Sequence, residues 1–203
     1  MLAYRSHPSI TKAAFVREMQ DHAAHDRIKS GHYWEGGTGC AVGCGIESII
    51  ALSGDRVFHS DHAALALHLG IPEWLASTQD AIFENLPKPR QQQFPVQFAE
   101  AIPDGADLSG LYRQFVPWML REFALPVAQN DQARNVVERV ALGIETKWQH
   151  DDRDAAGAAG GAAAYAAAGD AARASAGAEA YVKMANMLLH MLATSPIGKR
   201  AAS

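Results

Sequence analysis

The sequence has few of the features that mark secreted, membrane-bound or nucleic-acid-binding proteins. Its two cysteines, Cys40 and Cys44, lie four apart on a predicted helix and are poorly placed for a disulfide, so we expect thiols in a reducing compartment. The 18 basic residues form no cluster, and with 22 acidic residues the formal net charge is −4, so nucleic acid is not an expected partner. No apolar run is long enough for a membrane span or a signal peptide. We therefore expect a cytoplasmic protein with no membrane partner.

Strand patterns are missing as well. No segment alternates apolar and polar residues with a period of two, whereas apolar residues recur at helical spacing along most of the chain. We predict an all-α fold of about seven or eight helices, with residues 1–150 as one helical core domain. Residues 151–203 are rich in alanine, which favours helix but offers little bulk to bury. We expect this segment to dock its helical end on the core before a C-terminal tail, or to pair two copies of the chain as a homo-oligomer.

One segment, Gly31–Gly45, has a composition that packing does not explain. It holds six glycines, both cysteines, one histidine and two large aromatic residues. The glycines before Cys40 predict a loop, and the apolar spacing after it predicts a helix with Thr38 or Gly39 as N-cap. Free N–H groups and a partial positive charge at the start of that helix favour an anionic ligand.

The glycines also have a structural explanation. Gly43 and Gly45 lie within the predicted second helix, where residues without a side chain let two helices pack closely. The spacing matches neither the P-loop pattern nor the Rossmann pattern, so neither nucleotide fingerprint applies. The sequence leaves both interpretations open, a loop that binds a ligand and a loop that is only tightly packed.

Two polar residues continue the apolar stripe of the first predicted helix. Ser9 or Thr11 is a suitable N-cap, and the helix is predicted to run to about Ser30. His22 and Asp26 follow the stripe four apart, close enough for a hydrogen bond. The pair is either a buried histidine satisfied by its own carboxylate or an imidazole whose tautomer is fixed for a functional role.

Two further histidines lie at the start of a short predicted helix. His59 and His62 flank Ser60 and Asp61, either of which can cap that helix. A polar side chain at such a position can face a pocket. We therefore expect a pocket between the glycine-rich loop, the polar face of the first helix and these two histidines.

Five short motifs give the sequence a family resemblance. They are Tyr33–Glu35, Gly39–Cys44, Leu69–Pro72, Ile82–Pro87 and Ala101–Ser109. On these motifs the sequence resembles a family of bacterial and phage proteins with a Gly-Cys-Ala-Val-Gly-Cys motif and an alanine-rich C-terminal segment. No activity is established for that family, so the resemblance implies positions rather than chemistry. Its phage association implies a role in phage–host conflict and, for a phage-encoded chain, a location in the host cytoplasm.

The favoured function is binding, or sequestration, of a small anionic ligand that resembles a nucleotide. Amides of the loop would face its phosphate or carboxylate, and Tyr33 and Trp34 would stack on a planar ring. No cofactor is expected. The candidate ligand-binding residues are His22, Asp26, His32, Tyr33, Trp34, Gly37, Thr38, Gly39, Cys40, His59 and His62.

Two alternatives stand beside this prediction. In the first, the protein is a hydrolase or transferase with Cys40 as nucleophile, its thiol pKa lowered at a helix N-terminus, with His22 as base and Asp26 as the orienting carboxylate. In the second, the protein holds a structural zinc ion, although the C-x-x-x-C spacing is not typical of zinc sites. The ligands would then be Cys40, Cys44, His32 and His62.

Overall fold

The computed structural model describes residues 1–146 and 177–198. In these two ranges it contains eight α-helices of eight or more residues and no β-strand, so the all-α prediction is confirmed. None of the described helices is long and apolar enough to cross a membrane. The predicted boundary at residue 150 and most of the alanine-rich segment lie outside the described residues.

The chain divides into two compact units, of which the first comprises Met1–Leu108 and Leu189–Ser203. The first five helices of this unit are α1 (Lys12–Ala24), α2 (Ala41–Ser53), α3 (His62–Leu69), α4 (Glu73–Asn85) and α5 (Lys88–Ala101). Helix α1 packs on α2 and α5, and α3 packs on α4. Helix α2 also contacts α3 and α4, and its apolar face is buried at Ile46 and Ile49. Helix α2 is therefore the element on which α1, α3 and α4 all pack.

The second unit comprises Ser109–Leu188. Its elements are α6 (Leu111–Met119), a π-helical segment (Leu120–Ala124), the single turn α7 (Leu125–Val127), α8 (Asp131–Thr146) and α9 (Ala178–Ala193) as far as residue 188. The sequence predicts a kink or a break at Pro117, because proline lacks the N–H group that an α-helix needs, and the helix changes to π geometry three residues after it. Arg121 of the π-helical segment then pairs with Glu138 and Glu145 of α8.

The first helix is shorter than the sequence predicts. It begins after Thr11, whose Oγ1 accepts a hydrogen bond from the backbone of the first turn, as expected of this N-cap. It ends at Ala24 rather than near Ser30, because Asp26 adopts a φ of +53°, which a helix cannot contain. Asp26 therefore leaves the helical face that carries His22.

Candidate functional site

The loop between α1 and α2 is closed on itself by backbone hydrogen bonds. Gly39 N donates to Arg27 O at 2.9 Å, and Lys29 N donates to Gly39 O at 2.8 Å. At the loop tip, Glu35 and Thr38 exchange backbone hydrogen bonds of 2.8 and 3.1 Å. The glycine-rich segment is therefore a tight turn that is joined to the end of α1 and not an open arch.

Two glycines let this loop lie directly on the first turn of α2. A Cβ atom at Gly39 would stand 1.9 Å from Tyr33 O, and one at Gly43 would stand 1.4 Å from the same atom. Both distances are far below van der Waals contact, so any side chain at either position must displace the backbone. Close packing therefore explains why residue 43 is a glycine. The element that packs against it is the loop, whereas the sequence predicts close packing against another helix.

The N-cap predicted at Thr38 or Gly39 is wrong, and two amides expected to be free at the start of α2 have partners within the protein. Cys40, rather than Thr38 or Gly39, is the N-cap, and its Sγ lies 3.5 Å from Gly43 N. The Cys40 N–H group itself donates to His32 O at 2.8 Å. One amide of the loop does meet a carboxylate. Gly31 N donates to Glu84 at 3.1 Å, so the anion that this amide binds belongs to the protein.

Three donor atoms suited to a metal ion meet at this end of α2. The Sγ of Cys40 and one carboxylate oxygen each of Asp80 and Glu84 lie within 4.8 Å of one another. The two acids are four apart on α4, so they share one face of that helix. Cys40 is buried and Glu84 is more exposed, so the triangle of donors opens to solvent on one side. These three residues are called the Cys40 cluster below.

Neither carboxylate of this cluster is among the candidates from the sequence. The available signal is their spacing, because acids four apart on an amphipathic helix project side by side. That spacing is also common on solvated helix faces. The sequence therefore offers Asp80 and Glu84 as a pair but does not indicate that they face a cysteine from another helix.

His62 extends the Cys40 cluster through Asp80. Its Nε2 lies 3.1 Å from Asp80 Oδ2, and its Nδ1 lies 3.1 Å from Ser60 O. The hydrogen bond to Asp80 is the main reason that the pKa of His62 is raised. Tyr33 lies edge-on to the His62 ring, with ring centroids 5.8 Å apart. The structure thus brings three sequence-based candidates, Tyr33, Cys40 and His62, to one place.

The second oxygen of Asp80 has no such partner. Asp80 Oδ1 is buried and, in the part of the chain that the structure describes, lacks a hydrogen-bond partner at normal distance and angle, although the Cys40 thiol interacts with this carboxylate. A buried polar atom without a partner is costly, and most such atoms in proteins are satisfied by the protein, by water or by an ion.

The electrostatics of the Cys40 cluster contradict a reactive thiolate. Burial, followed by the negative charge of Asp80, raises the pKa of the Cys40 thiol to about 12. Burial and then the same charge also raise the pKa of Glu84, although the Gly31 amide opposes this shift. The predicted lowering of the Cys40 pKa is therefore wrong. Three acidic groups whose donor atoms lie within 4.8 Å of one another form a site that attracts cations and repels anions.

A second group of candidates packs together around Trp34. The Trp34 ring is stacked on His59, at 5.6 Å between centroids, and meets His22 edge-on at 5.5 Å. His59 Nε2 in turn lies 2.9 Å from Glu47 Oε2. His22 is only 3% exposed, and neither ring nitrogen has a hydrogen-bond partner at normal distance and angle among the described residues, although the ring interacts with the Cys44 backbone. We call these four residues the Trp34 cluster, in which the tryptophan already stacks on a protein ring.

The predicted arrangement of Cys40, His22 and Asp26 does not form. Asp26 is exposed and binds Lys29 and the side-chain amide of Gln92. His22 faces Trp34, and burial followed by the charge of Arg27 lowers its pKa.

The remaining candidates serve the loop itself. The Nε2 of His32 lies 3.0 Å from Thr38 Oγ1, and Gly37 occupies the exposed turn with a φ of +83°. Cys44 is buried, and its thiol lies 3.3 Å from Gly39 O. The four ligands of the predicted zinc site therefore do not converge in the described structure, where the donor atoms that come within 4.8 Å of one another are those of the Cys40 cluster.

Comparison with known proteins adds no relative. No protein-family model, curated protein or solved structure matches the chain. The resemblance to a bacterial and phage family stays a prediction, and the function must be inferred from the residues themselves.

Proposed function

We propose that the protein binds one divalent metal ion of the zinc class through the Cys40 cluster. The observation that carries this proposal is the triangle of one sulfur and two oxygen donors within 4.8 Å. A tetrahedral zinc ion with bonds of about 2.0–2.3 Å keeps its ligands roughly 3.4–3.7 Å apart, so movements of about 1 Å bring the donors into place. Three protein ligands leave a fourth position open, as in sites where the ion binds a further molecule.

The buried oxygen of Asp80 supports this proposal independently. Its Oδ1 is buried without a hydrogen-bond partner in the described ranges, while Oδ2 accepts a hydrogen bond from His62. A cation beside Oδ1 would remove the cost of burying it unpaired. The carboxylate is thus already oriented, with one oxygen held by the protein and the other available.

The charges also balance when an ion is bound. The thiolate of Cys40 and the two carboxylates carry three formal negative charges, and a dication leaves one of them. His62 has an oxygen acceptor beside each ring nitrogen, and its doubly protonated ring supplies the remaining positive charge. Because Cys40 is a thiol before binding, uptake of the ion should release about one proton per chain.

The donor types favour a particular class of metal. A thiolate is a soft ligand that suits zinc, cobalt and similar ions, whereas calcium and magnesium are bound by oxygen ligands. The small anionic ligand that the sequence predicts could bind here only through the metal ion, at its open position. The protein groups around that position are negatively charged and would repel an anion in the absence of the ion.

Absorbance titration with Co²⁺ tests the proposal. Chelator-treated wild-type protein should develop a thiolate-to-cobalt charge-transfer band that saturates at about one ion per chain, and Zn²⁺ should remove the band by displacement. Cys40→Ser should lose the band. Cys44→Ser is the matched control and should keep it, because Cys44 is the other buried cysteine of the same helix and its thiol lies against Gly39 O.

Two results would contradict the proposal. One is a wild-type protein without a saturable band at stoichiometric Co²⁺. The other is a band that survives in Cys40→Ser, which would assign the metal to different donors. Circular dichroism of each variant should show the helical spectrum of the wild type, so that a lost band is not the result of unfolding.

A further inference from the structure

The imidazole of His62 is fixed at both ends. Its Nε2 lies 3.1 Å from Asp80 Oδ2, and its Nδ1 lies 3.1 Å from Ser60 O. The side chains of His62 and Asp80 are only 21% and 16% exposed, so water competes weakly for these contacts. Ser60 presents a backbone oxygen just before α3, so the main chain fixes the position of the His62 ring. The ring in turn fixes the orientation of the Asp80 carboxylate.

We propose that His62 determines the metal specificity of the Cys40 cluster by reserving one oxygen of Asp80. This inference rests on the proposed metal site. With Oδ2 held by His62, Asp80 can offer an ion only Oδ1, the buried oxygen that has no hydrogen-bond partner among the described residues. Asp80 is therefore a ligand through one oxygen, and His62 acts as a positioning residue rather than as a ligand.

Ligand number is the property through which this contact selects a metal. Zinc-class ions in proteins are satisfied by four ligands, whereas Mn²⁺, Mg²⁺ and Ca²⁺ take six or more, largely from oxygen. A carboxylate that binds through both oxygens helps to reach the larger number. By blocking that mode at Asp80, His62 keeps the count low and favours the smaller coordination sphere.

Glu84 is restrained in a similar way. Its two oxygens lie 3.1 and 3.3 Å from Gly31 N, which limits how far the carboxylate can turn toward an ion. Gly31 has a φ of +97°, a conformation that glycine adopts readily, so this contact depends on the glycine. Both carboxylates of the cluster are thus oriented by the protein before a metal arrives.

Three substitutions at His62 separate positioning from mere structural support. His62→Leu removes both contacts. His62→Gln keeps an N–H donor that can reach Asp80, and His62→Asn keeps one that can reach only Ser60. The matched control is His68→Leu, because His68 lies on the same helix and forms an equivalent pair with Asp55 at 3.0 Å.

The measurement is the ratio of Co²⁺ to Mn²⁺ affinity, from the charge-transfer band and from the electron paramagnetic resonance of free Mn²⁺. His62→Leu and His62→Asn should bind Co²⁺ about 10–100-fold more weakly, the usual effect of removing a residue that orients a metal ligand. Their Mn²⁺ affinity should stay equal or rise, so the ratio falls. His62→Gln should restore the ratio to within roughly threefold of wild type, and His68→Leu should leave it unchanged.

The outcomes distinguish this inference from the function on which it rests. A wild-type protein that binds no Co²⁺ overturns both. If the wild type binds Co²⁺ but His62→Leu and His62→Asn retain its metal ratio, the inference is wrong and the metal site stands. An equal loss of both metals in these variants also overturns it, since that pattern indicates only structural support. If His62→Leu does not fold, the comparison of His62→Asn with His62→Gln decides the question.

Discussion

The Cys40 cluster and the Trp34 cluster flank the peptide between Tyr33 and Trp34, because Tyr33 packs on His62 beside the first cluster and Trp34 belongs to the second. The two clusters differ in what surrounds the histidine next to each. His62, which contacts Asp80 of the first cluster, has an oxygen acceptor beside each ring nitrogen. His22 of the second is buried against an indole, and its ring nitrogens have no hydrogen-bond partner among the described residues. One histidine is thus built into a charged, half-open site, and the other into an aromatic core.

This difference shows that a histidine near a glycine-rich loop is not in itself a functional signal. His22 has the more suggestive sequence context, since it continues an apolar stripe and has an acid four residues later. Its surroundings nevertheless favour the neutral, packed form, because burial lowers its pKa. The sequence around His62 gives no comparable signal, yet Asp80 of α4 forms a hydrogen bond with its ring. The group that faces the imidazole, rather than the sequence around it, therefore determines whether the charged or the neutral ring is favoured.

The largest expected effect comes from the backbone that joins the two clusters. Gly43→Ala places a Cβ 1.4 Å from Tyr33 O, a backbone atom that cannot move without shifting the loop. We expect a loss of roughly 3 kcal/mol or more in the free energy of unfolding, together with loss of Co²⁺ binding. Urea unfolding followed by circular dichroism measures the first effect, and the cobalt band measures the second.

Gly45→Ala is the control for this substitution. It makes the same exchange in the same helix, but the nearest atom to the new Cβ is Leu65 Cδ1 at 3.1 Å, the end of a flexible side chain. Both exchanges gain helix propensity of up to about 1 kcal/mol, so their difference isolates the clash with the loop. Equal stability of the two variants would show that the loop does not lie on Gly43.

The sequence predicts the helices well because their signals are local. Thr11 and Asp61 are N-caps as expected, and the stripe of α4 is buried where its periodicity indicates. The Cys40 cluster was not predictable in this way, because it depends on the placement of α4 against the start of α2. The error at Asp26 has another cause, since no helix-stop residue precedes it and only its left-handed φ removes it from the helical face.

An intermediate effect concerns the part of the pH dependence of stability that His22 of the Trp34 cluster contributes. The pKa of His22 in the folded state is lower than 6.5, its value in an unfolded chain, because burial disfavours the charged ring. The unfolded state therefore takes up a proton first as the pH falls. Stability should be complete above pH 6.5 and should decrease below it, until the folded-state pKa is reached, by at most about 1.4 kcal/mol per pH unit.

Urea unfolding of wild type and His22→Phe between about pH 7.5 and pH 5 tests this prediction, since only the wild type should carry this component. Parallel curves for wild type and His22→Phe would contradict a buried neutral His22. The expected direction is the reverse of that for a histidine paired with a carboxylate, as His62 is with Asp80.

The smallest expected effect is at Asp26. It tests whether this acid takes part in either cluster, as the predicted pairing of His22 with Asp26 requires. Asn tolerates a positive φ, so Asp26→Asn keeps the backbone and changes only one charge on an exposed side chain. The free energy of unfolding should change by less than about 0.5 kcal/mol, and the pH dependence of His22 should stay the same. Asp80→Asn makes the same chemical exchange at the Cys40 cluster and should abolish stoichiometric Co²⁺ binding, whereas Asp26→Asn should bind Co²⁺ as the wild type does. A loss of Co²⁺ binding in Asp26→Asn, or its retention in Asp80→Asn, would contradict the assignment of the metal-binding acid to α4.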